Sequence, residues 1–252
     1  MSDVTVIHLV RRANGFDALN NFLGACQMHK AGMSYNLLLA CKGFDERPLA
    51  VPLDRFALEA EERQLVSYPD TDYDIGTYRR AAEDVKTDYV CFLNSFSQPQ
   101  QQGWLQKLVW ALGPPDLGIA GATSSLEGIP GCPFPNPHVR TNAFCMRRAT
   151  FLDLDIPMPK EKRDANQLEA GPNSLTRQVL KRGLRAVVVN SAGEIFSAER
   201  GEARHADTFR WGSQQRLLVS DNRTRDYANT SQPAKEYLQR LAWGCLEENV
   251  QP

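Results

Sequence analysis

Asp74-Ile75-Gly76-Thr77-Tyr78-Arg79-Arg80-Ala81-Ala82, followed closely by Asp88-Tyr89-Val90-Cys91-Phe92-Leu93-Asn94-Ser95-Phe96-Ser97, decides the fold of this chain. The first segment reads as a glycine turn and a short helix with two arginines. The second reads as a buried strand that stops abruptly in small polar residues. In an open α/β sheet, ligands bind just beyond the carboxyl ends of the strands. The quartet Asn94 to Ser97 is therefore expected at a site, or else it caps the strand and starts a turn.

Upstream, Val4 to Val10 is short, β-branched and nearly continuous, as a strand covered on both faces is. It ends in the basic turn Arg11-Arg12-Ala13-Asn14-Gly15. Phe16 to Lys30 carries apolar residues at helical spacing, with Asp17 in the first turn. Tyr35 to Cys41 predicts a second strand, Leu53 to Glu62 a short helix, Gln64 to Tyr68 a third strand, Asp74 to Val85 a helix and Tyr89 to Leu93 a fourth strand. This alternation argues for a parallel sheet with right-handed crossovers.

Downstream, the spacing predicts a helix from Gly103 to Leu112, a strand from Leu117 to Ala122, and a loop from Glu127 to Pro137 stiffened by Pro130, Pro133 and Pro135. Val139 to Met146 is expected as a strand, Ala149 to Leu152 as a helix, Ser174 to Arg182 as a helix capped by Gly183, and Arg185 to Val189 as a strand. The stretch 153–173 is expected to be a mobile loop. Helices are expected at Thr208 to Val219 and Ala234 to Leu246, in a polar tail.

With 42% hydrophobic and 23% charged residues, the 252-residue chain is globular. A net charge of -1 argues against a nucleic-acid partner held by bulk electrostatics. Six cysteines without a C-x-x-C pair suit free thiols, hence a cytoplasmic setting. No signal peptide or apolar run of ~20 residues is visible, so a soluble protein is expected. His8 reads as a core or strand-end histidine. His138 and His205 read as loop histidines without metal-ligand spacing, and Trp104, Trp110 and Trp211 as core.

The order of these features resembles the GT-A glycosyltransferases, particularly the family 2 enzymes, over roughly residues 4 to 190. The resemblance implies an α/β fold: a GT-A (Rossmann-like) mixed, mainly parallel sheet flanked by helices, with a helical C-terminal tail. It also implies one domain over 1–193, with a nucleotide-sugar half to about residue 100 and an acceptor half beyond it. The polar extension 194–252 would pack on that domain. By the same resemblance, Arg11, Asn14, Asp45, Asp74, Gly76, Arg79, Asn94 and Ser95 would bind the donor, Arg140, Asn142 and His205 the acceptor or the diphosphate, and Glu169 would be the catalytic base.

Inverting transfer needs a carboxylate to take the acceptor proton and positive charge to stabilise the departing diphosphate. The family's Asp-X-Asp metal motif is replaced here by Asn94-Ser95-Phe96, so no residue is assigned as a metal ligand. The expectation is metal-independent or weakly Mg²⁺- or Mn²⁺-assisted transfer from a nucleotide sugar to a glycan or lipid-linked acceptor. Surface polysaccharide synthesis, with peripheral membrane or synthase-complex association, is the setting implied. The alternative is a catalytically inactive GT-A-like domain that binds nucleotide sugar or glycan, or scaffolds a synthase. A Rossmann oxidoreductase is disfavoured, because no G-x-G-x-x-G follows the first strand.

Overall fold

The computed structural model describes residues 2–44, 53–199 and 201–244. The amino-terminal part is built from β1 (Val4–Arg11), α1 (Gly15–Met28), β2 (Tyr35–Lys42), β3 (Ala60–Tyr68), α2 (Tyr73–Asp84) and β4 (Tyr89–Leu93). Then follow β5 (Gln98–Pro99), α3 (Trp104–Ala111), β6 (Leu117–Gly121), β7 (Ser124–Ser125), β8 (His138–Val139), β9 (Ala143–Arg147) and α4 (Arg148–Leu152). The remainder comprises α5 (Lys162–Ala170), α6 (Leu175–Lys181), β10 (Arg185–Val189), β11 (Ile195–Ser197), β12 (Val219–Ser220), α7 (Asn222–Asn229) and α8 (Gln232–Trp243).

Eight strands form one sheet in the order β11-β10-β6-β9-β4-β1-β2-β3. β1, β2, β3 and β4 run parallel, and β10 runs parallel to β6. β9 is antiparallel to both β4 and β6, and β11 is antiparallel to β10. The expected mixed, mainly parallel sheet flanked by helices is thus the observed architecture. β9 enters the sheet at Ala143, so the turn before it lies at the carboxyl edge of β4 and β6.

Helices cover both faces of the sheet. On one face Leu19, Phe22 and Leu23 of α1 and Trp104, Leu105 and Leu108 of α3 pack against it. On the other, α2 places Tyr78 beside Phe92, with ring centroids 4.7 Å apart, and Phe92 lies 4.8 Å from Phe144 and 4.5 Å from Phe151. Such tilted aromatic contacts add about 0.5–1.5 kcal/mol per pair beyond area burial. Trp243 of α8 joins this second layer and donates from Nε1 to the Phe209 carbonyl at 2.7 Å.

Five expectations are corrected. Residues 53–62 do not form a helix: a 3₁₀ turn at Leu53–Arg55 gives way to β3, which starts at Ala60 and is largely exposed as the edge strand of the sheet. Residues 139–146 are interrupted by a turn that separates β8 from β9. The 153–173 stretch contains α5, started by a reciprocal capping box between Glu161 and Asp164. Residues 208–219 form no helix, because Arg210, Gly212 and Gln214 all take positive φ. Gln214 fills that loop, accepting from the Arg210 N–H and donating to the Thr224 carbonyl. Finally, Trp104 is core but Trp110 is 69% exposed.

Candidate active site

The carboxyl edge of the sheet gathers charged side chains where β1, β2 and β3 end. Arg11, the last residue of β1, donates from Nε and Nη2 to the two carboxylate oxygens of Asp70 at 2.7 Å each. That bidentate pair leaves Nη1 of Arg11 for a ligand and holds the Asp70 carboxyl below its usual range, the Arg11 hydrogen bonds being the main cause. Lys42, the last residue of β2, is buried; its Nζ donates to the Tyr73 carbonyl and lies 4.0 Å from Asp70. Burial lowers the Lys42 pKa, opposed by Asp74 and Asp70.

Asp74, in the first turn of α2, is exposed to solvent. Desolvation by the surrounding protein raises its pKa above the usual carboxylate range; the charge of Glu169 adds to the rise, and Lys42 opposes it. Its carboxylate has no hydrogen-bond or ion-pair partner among the described residues. Two residues on, Gly76 lets α2 approach the loop between α4 and α5: a Cβ there would lie 2.9 Å from Pro159 Cδ and 3.1 Å from Met158 Cε. α2 and α5 therefore pack closely, which brings Asp74 and Glu169 to the same rim.

Glu169, near the end of α5, accepts a hydrogen bond at Oε1 from the backbone N–H of Thr141 at 3.1 Å. The next residue, Asn142, accepts from the Asn94 N–H at 2.9 Å and from the Ser97 hydroxyl at 2.6 Å. The turn before β9 thus ties Glu169 to the end of β4. Asn94 Oδ1 accepts from the Phe96 N–H and the Ser97 hydroxyl, at 2.9 Å each, so this side chain builds a turn. Asn142 Oδ1 accepts from the Thr123 hydroxyl, and its Nδ2 is buried without a partner.

Beside Glu169 opens a cleft of about 200 Å³, lined among others by His138, Arg140, Glu127, Phe209, Arg210 and Arg223. His138 Nδ1 bonds the Asn136 carbonyl at 2.8 Å, and burial lowers the ring pKa against the raising influence of Glu169. Arg140 donates to the buried Asp221 at 2.8 Å and stacks 4.0 Å above the Phe209 ring. Asp221 in turn caps α7 in a capping box with Thr224. A larger cavity, about 450 Å³, lies at the opposite, amino edge of the sheet among Asp3, Asn36, Glu61, Asp84 and Asp88. The chemistry-bearing groups described above are not there.

Arg11, Asn14, Asp74, Gly76, Asn94, Ser95, Arg140, Asn142 and Glu169 all stand at or next to this carboxyl edge. Two expected residues do not. Arg79 is drawn away by α2 to Glu83 at 3.0 Å and to the Leu152 carbonyl, because it sits on the helix face toward α4. His205 is exposed in a 3₁₀ turn beside Arg204 and Trp211, outside the cleft. Asp45 lies outside the described residues. Sequence reasoning missed Lys42, whose signal was a lysine closing an otherwise apolar strand, and Arg210 and Arg223, which reach the cleft only through the fold.

The site tests poorly for a divalent cation. Asn94 occupies the motif position with its oxygen already engaged in the turn. Among the described residues no three His, Cys, Asp or Glu side chains converge on a metal position. The five described cysteines are free and buried, and no described helix is long and apolar enough to cross a membrane.

No protein-family model matches the sequence, and no curated protein matches it. Among solved structures, TarS of S. aureus is similar with a TM-score of 0.48 at 10% identity, covering 82% of this chain and 38% of TarS. The mannosyltransferase PcManGT from Pyrobaculum calidifontis, in complex with GDP-Man and Mn²⁺, gives 0.49 at 11% identity, over 81% of this chain and 59% of that one. A CMP:2-keto-3-deoxy-manno-octonic acid synthetase complexed with CTP gives 0.45 at 11%, over 75% and 90%. The chain thus spans well under two thirds of the length of the first two. Likeness at this level describes architecture and says nothing of substrate or mechanism.

Proposed function

We propose that this chain is a glycosyltransferase that moves a sugar from a nucleotide-sugar donor to a glycan or lipid-linked acceptor with inversion. The observation that carries the proposal is Glu169: a half-buried carboxylate oriented by the Thr141 N–H, at the rim of a cleft on the carboxyl edge of a mainly parallel sheet. In the proposed step, the acceptor oxygen attacks the anomeric carbon and its proton passes to Glu169. The bond from that carbon to the diphosphate breaks, and the electron pair leaves on the nucleoside diphosphate.

The donor would lie over the ends of β1 and β2, with Arg11, Asn14, Asp74 and the Asn94–Ser95 turn around it. Arg11 Nη1 and the buried ammonium of Lys42 supply positive potential there. Because the 94–96 segment does not fit a divalent cation, no step is routed through one. Surface polysaccharide synthesis, with peripheral membrane or synthase-complex association, is the proposed setting.

The experiment is release of nucleoside diphosphate from a panel of nucleotide sugars, comparing wild type with Glu169→Gln. Turnover that Glu169→Gln abolishes while donor binding persists supports the transferase. The engaged Asn94 side chain favours one second reading, a domain that binds nucleotide sugar without turning it over. Donor binding with no turnover of any donor by the wild type would select it.

A further inference from the structure

We infer that the cleft beside Glu169 is the subsite of an acceptor that carries a phosphate group near its attacking hydroxyl. The inference rests on the glycosyl-transfer proposal and adds to it the chemistry of the acceptor.

Three guanidinium groups converge on this cleft, from Arg140, Arg210 and Arg223. Arg140 is satisfied by Asp221, Thr123 and the face of Phe209. Arg210 is not. It is 6% exposed, reaches Glu127 only through Nη1 at 3.2 Å, and its buried Nε has no partner at all. Arg223 lines the same cleft, is exposed, and forms no hydrogen bond or ion pair among the described residues. Of the carboxylates around these arginines, Asp221 and Glu127 are already used by Arg140 and Arg210, and Glu169, on the same lining, accepts the Thr141 N–H.

The backbone adds positive potential beside the two incompletely paired guanidiniums. Arg223 stands in the first turn of α7, where the unpaired helix amides already create positive potential, so a cation there is poorly placed for the helix. Arg210 is fixed in a left-handed backbone conformation, at φ 45°, which aims it into the cleft instead of along a regular element. Burial and the charges of Arg140 and Arg223 all disfavour the Arg210 cation, and Glu127 and Asp221 answer only part of that. A phosphate matches two adjacent guanidiniums through paired N–H···O bonds and would relieve the strain on both. Glu169 and His138 lie on the same lining, so a phosphate held by Arg210 and Arg223 leaves a nearby hydroxyl facing the base.

The competing use of these arginines is to hold the diphosphate of the donor. Calorimetry on the whole chain separates the two, with glucose 6-phosphate, glucose, and the nucleoside diphosphates UDP, GDP, CDP and TDP as probes, on wild type and Arg223→Gln. We expect glucose 6-phosphate to bind the wild type and glucose not to, with Arg223→Gln weakening glucose 6-phosphate by about ten- to a hundredfold, the loss of a charge-assisted contact. Nucleoside diphosphate affinity should be unchanged in that variant. Equal binding of glucose 6-phosphate by wild type and variant, or no binding by the wild type, overturns the inference. A parallel loss of nucleoside diphosphate affinity overturns it too, assigning the cluster to the donor. Should no nucleoside diphosphate bind while glucose 6-phosphate still depends on Arg223, the transfer proposal falls and the phosphate site stands.

Discussion

Glu169 Oε1 accepts the Thr141 N–H at 3.1 Å, and through the adjoining Asn142 this contact ties α5 to the end of β4. A carboxylate on one helix is thereby fixed against the sheet edge where a donor's anomeric carbon would sit. Glu169→Gln preserves the acceptor oxygen for Thr141 and removes only the basic site. The expected outcome is a kcat lower by about 10²–10⁴-fold. Donor affinity measured by calorimetry and Tm should be unchanged.

Arg140 and Asp221 form a buried pair at 2.8 Å, with side chains 11% and 1% exposed. Burial alone would raise the Asp221 pKa, but Arg140 and the hydrogen bonds of Thr224 bring it below the usual range. Asp221→Ala strands a buried guanidinium and removes the cap of α7, and it should cost about 3–5 kcal/mol in urea unfolding. Combining it with Arg140→Met should cost less than the sum of the single changes, because neither charge is then left unpaired.

His8 is wholly buried in β1, stacked 3.7 Å from the Phe22 ring, and neither ring nitrogen has a partner. Burial lowers its pKa to about 3. The unfolded chain takes up the proton near the ordinary histidine pKa of about 6.5, so it binds more protons than the folded one below that pH. This contribution to stability is full above about pH 6.5 and falls steadily as pH drops toward 3. At pH 5 the loss should reach about 2 kcal/mol, from about 1.4 kcal/mol per pH unit. His8→Leu should flatten the difference in unfolding free energy between pH 7.5 and 5; an unchanged slope would remove His8 as its source.

Gly76 lies within α2, where replacing glycine by alanine normally stabilises by about 0.5–1 kcal/mol. Here the new methyl would meet Pro159 and Met158. Gly76→Ala is expected to lower Tm instead, and to weaken nucleotide binding by displacing the loop between α4 and α5 that packs on α2.

Legibility in the sequence followed the source of each feature's order. β1, β2, β4, β6 and β10 were readable because strands buried on both faces leave short apolar runs. β3 was half lost: its edge position lets Glu61, Glu62 and Gln64 face water, erasing the alternation at its start. α5 was hidden because its capping box pairs Glu161 with Asp164 in place of the usual hydroxyl residue. The 208–219 loop looked helical because Phe209, Leu217 and Leu218 are core residues, yet a side-chain network through Gln214 holds the backbone in turns. Glu169 and Asp74 were placed by resemblance. Arg79 faces Glu83 and the Leu152 carbonyl, away from the carboxyl edge, and its place in the motif says nothing of the helix face it occupies. Arg210 and Arg223 come together only through tertiary structure, from segments that carry no local motif.

The central claim is a donor site at the carboxyl edge that works without an Asp-X-Asp carboxylate pair and its cation. Calorimetry of the whole chain with UDP, GDP, CDP and TDP, each in EDTA and each with Mg²⁺ or Mn²⁺, tests it most directly. One nucleotide is expected to bind clearly in EDTA, with an added cation changing its affinity little. Binding that appears only with the cation would contradict the metal-independent site, and absence of binding for all four nucleotides under every condition would contradict the donor site itself.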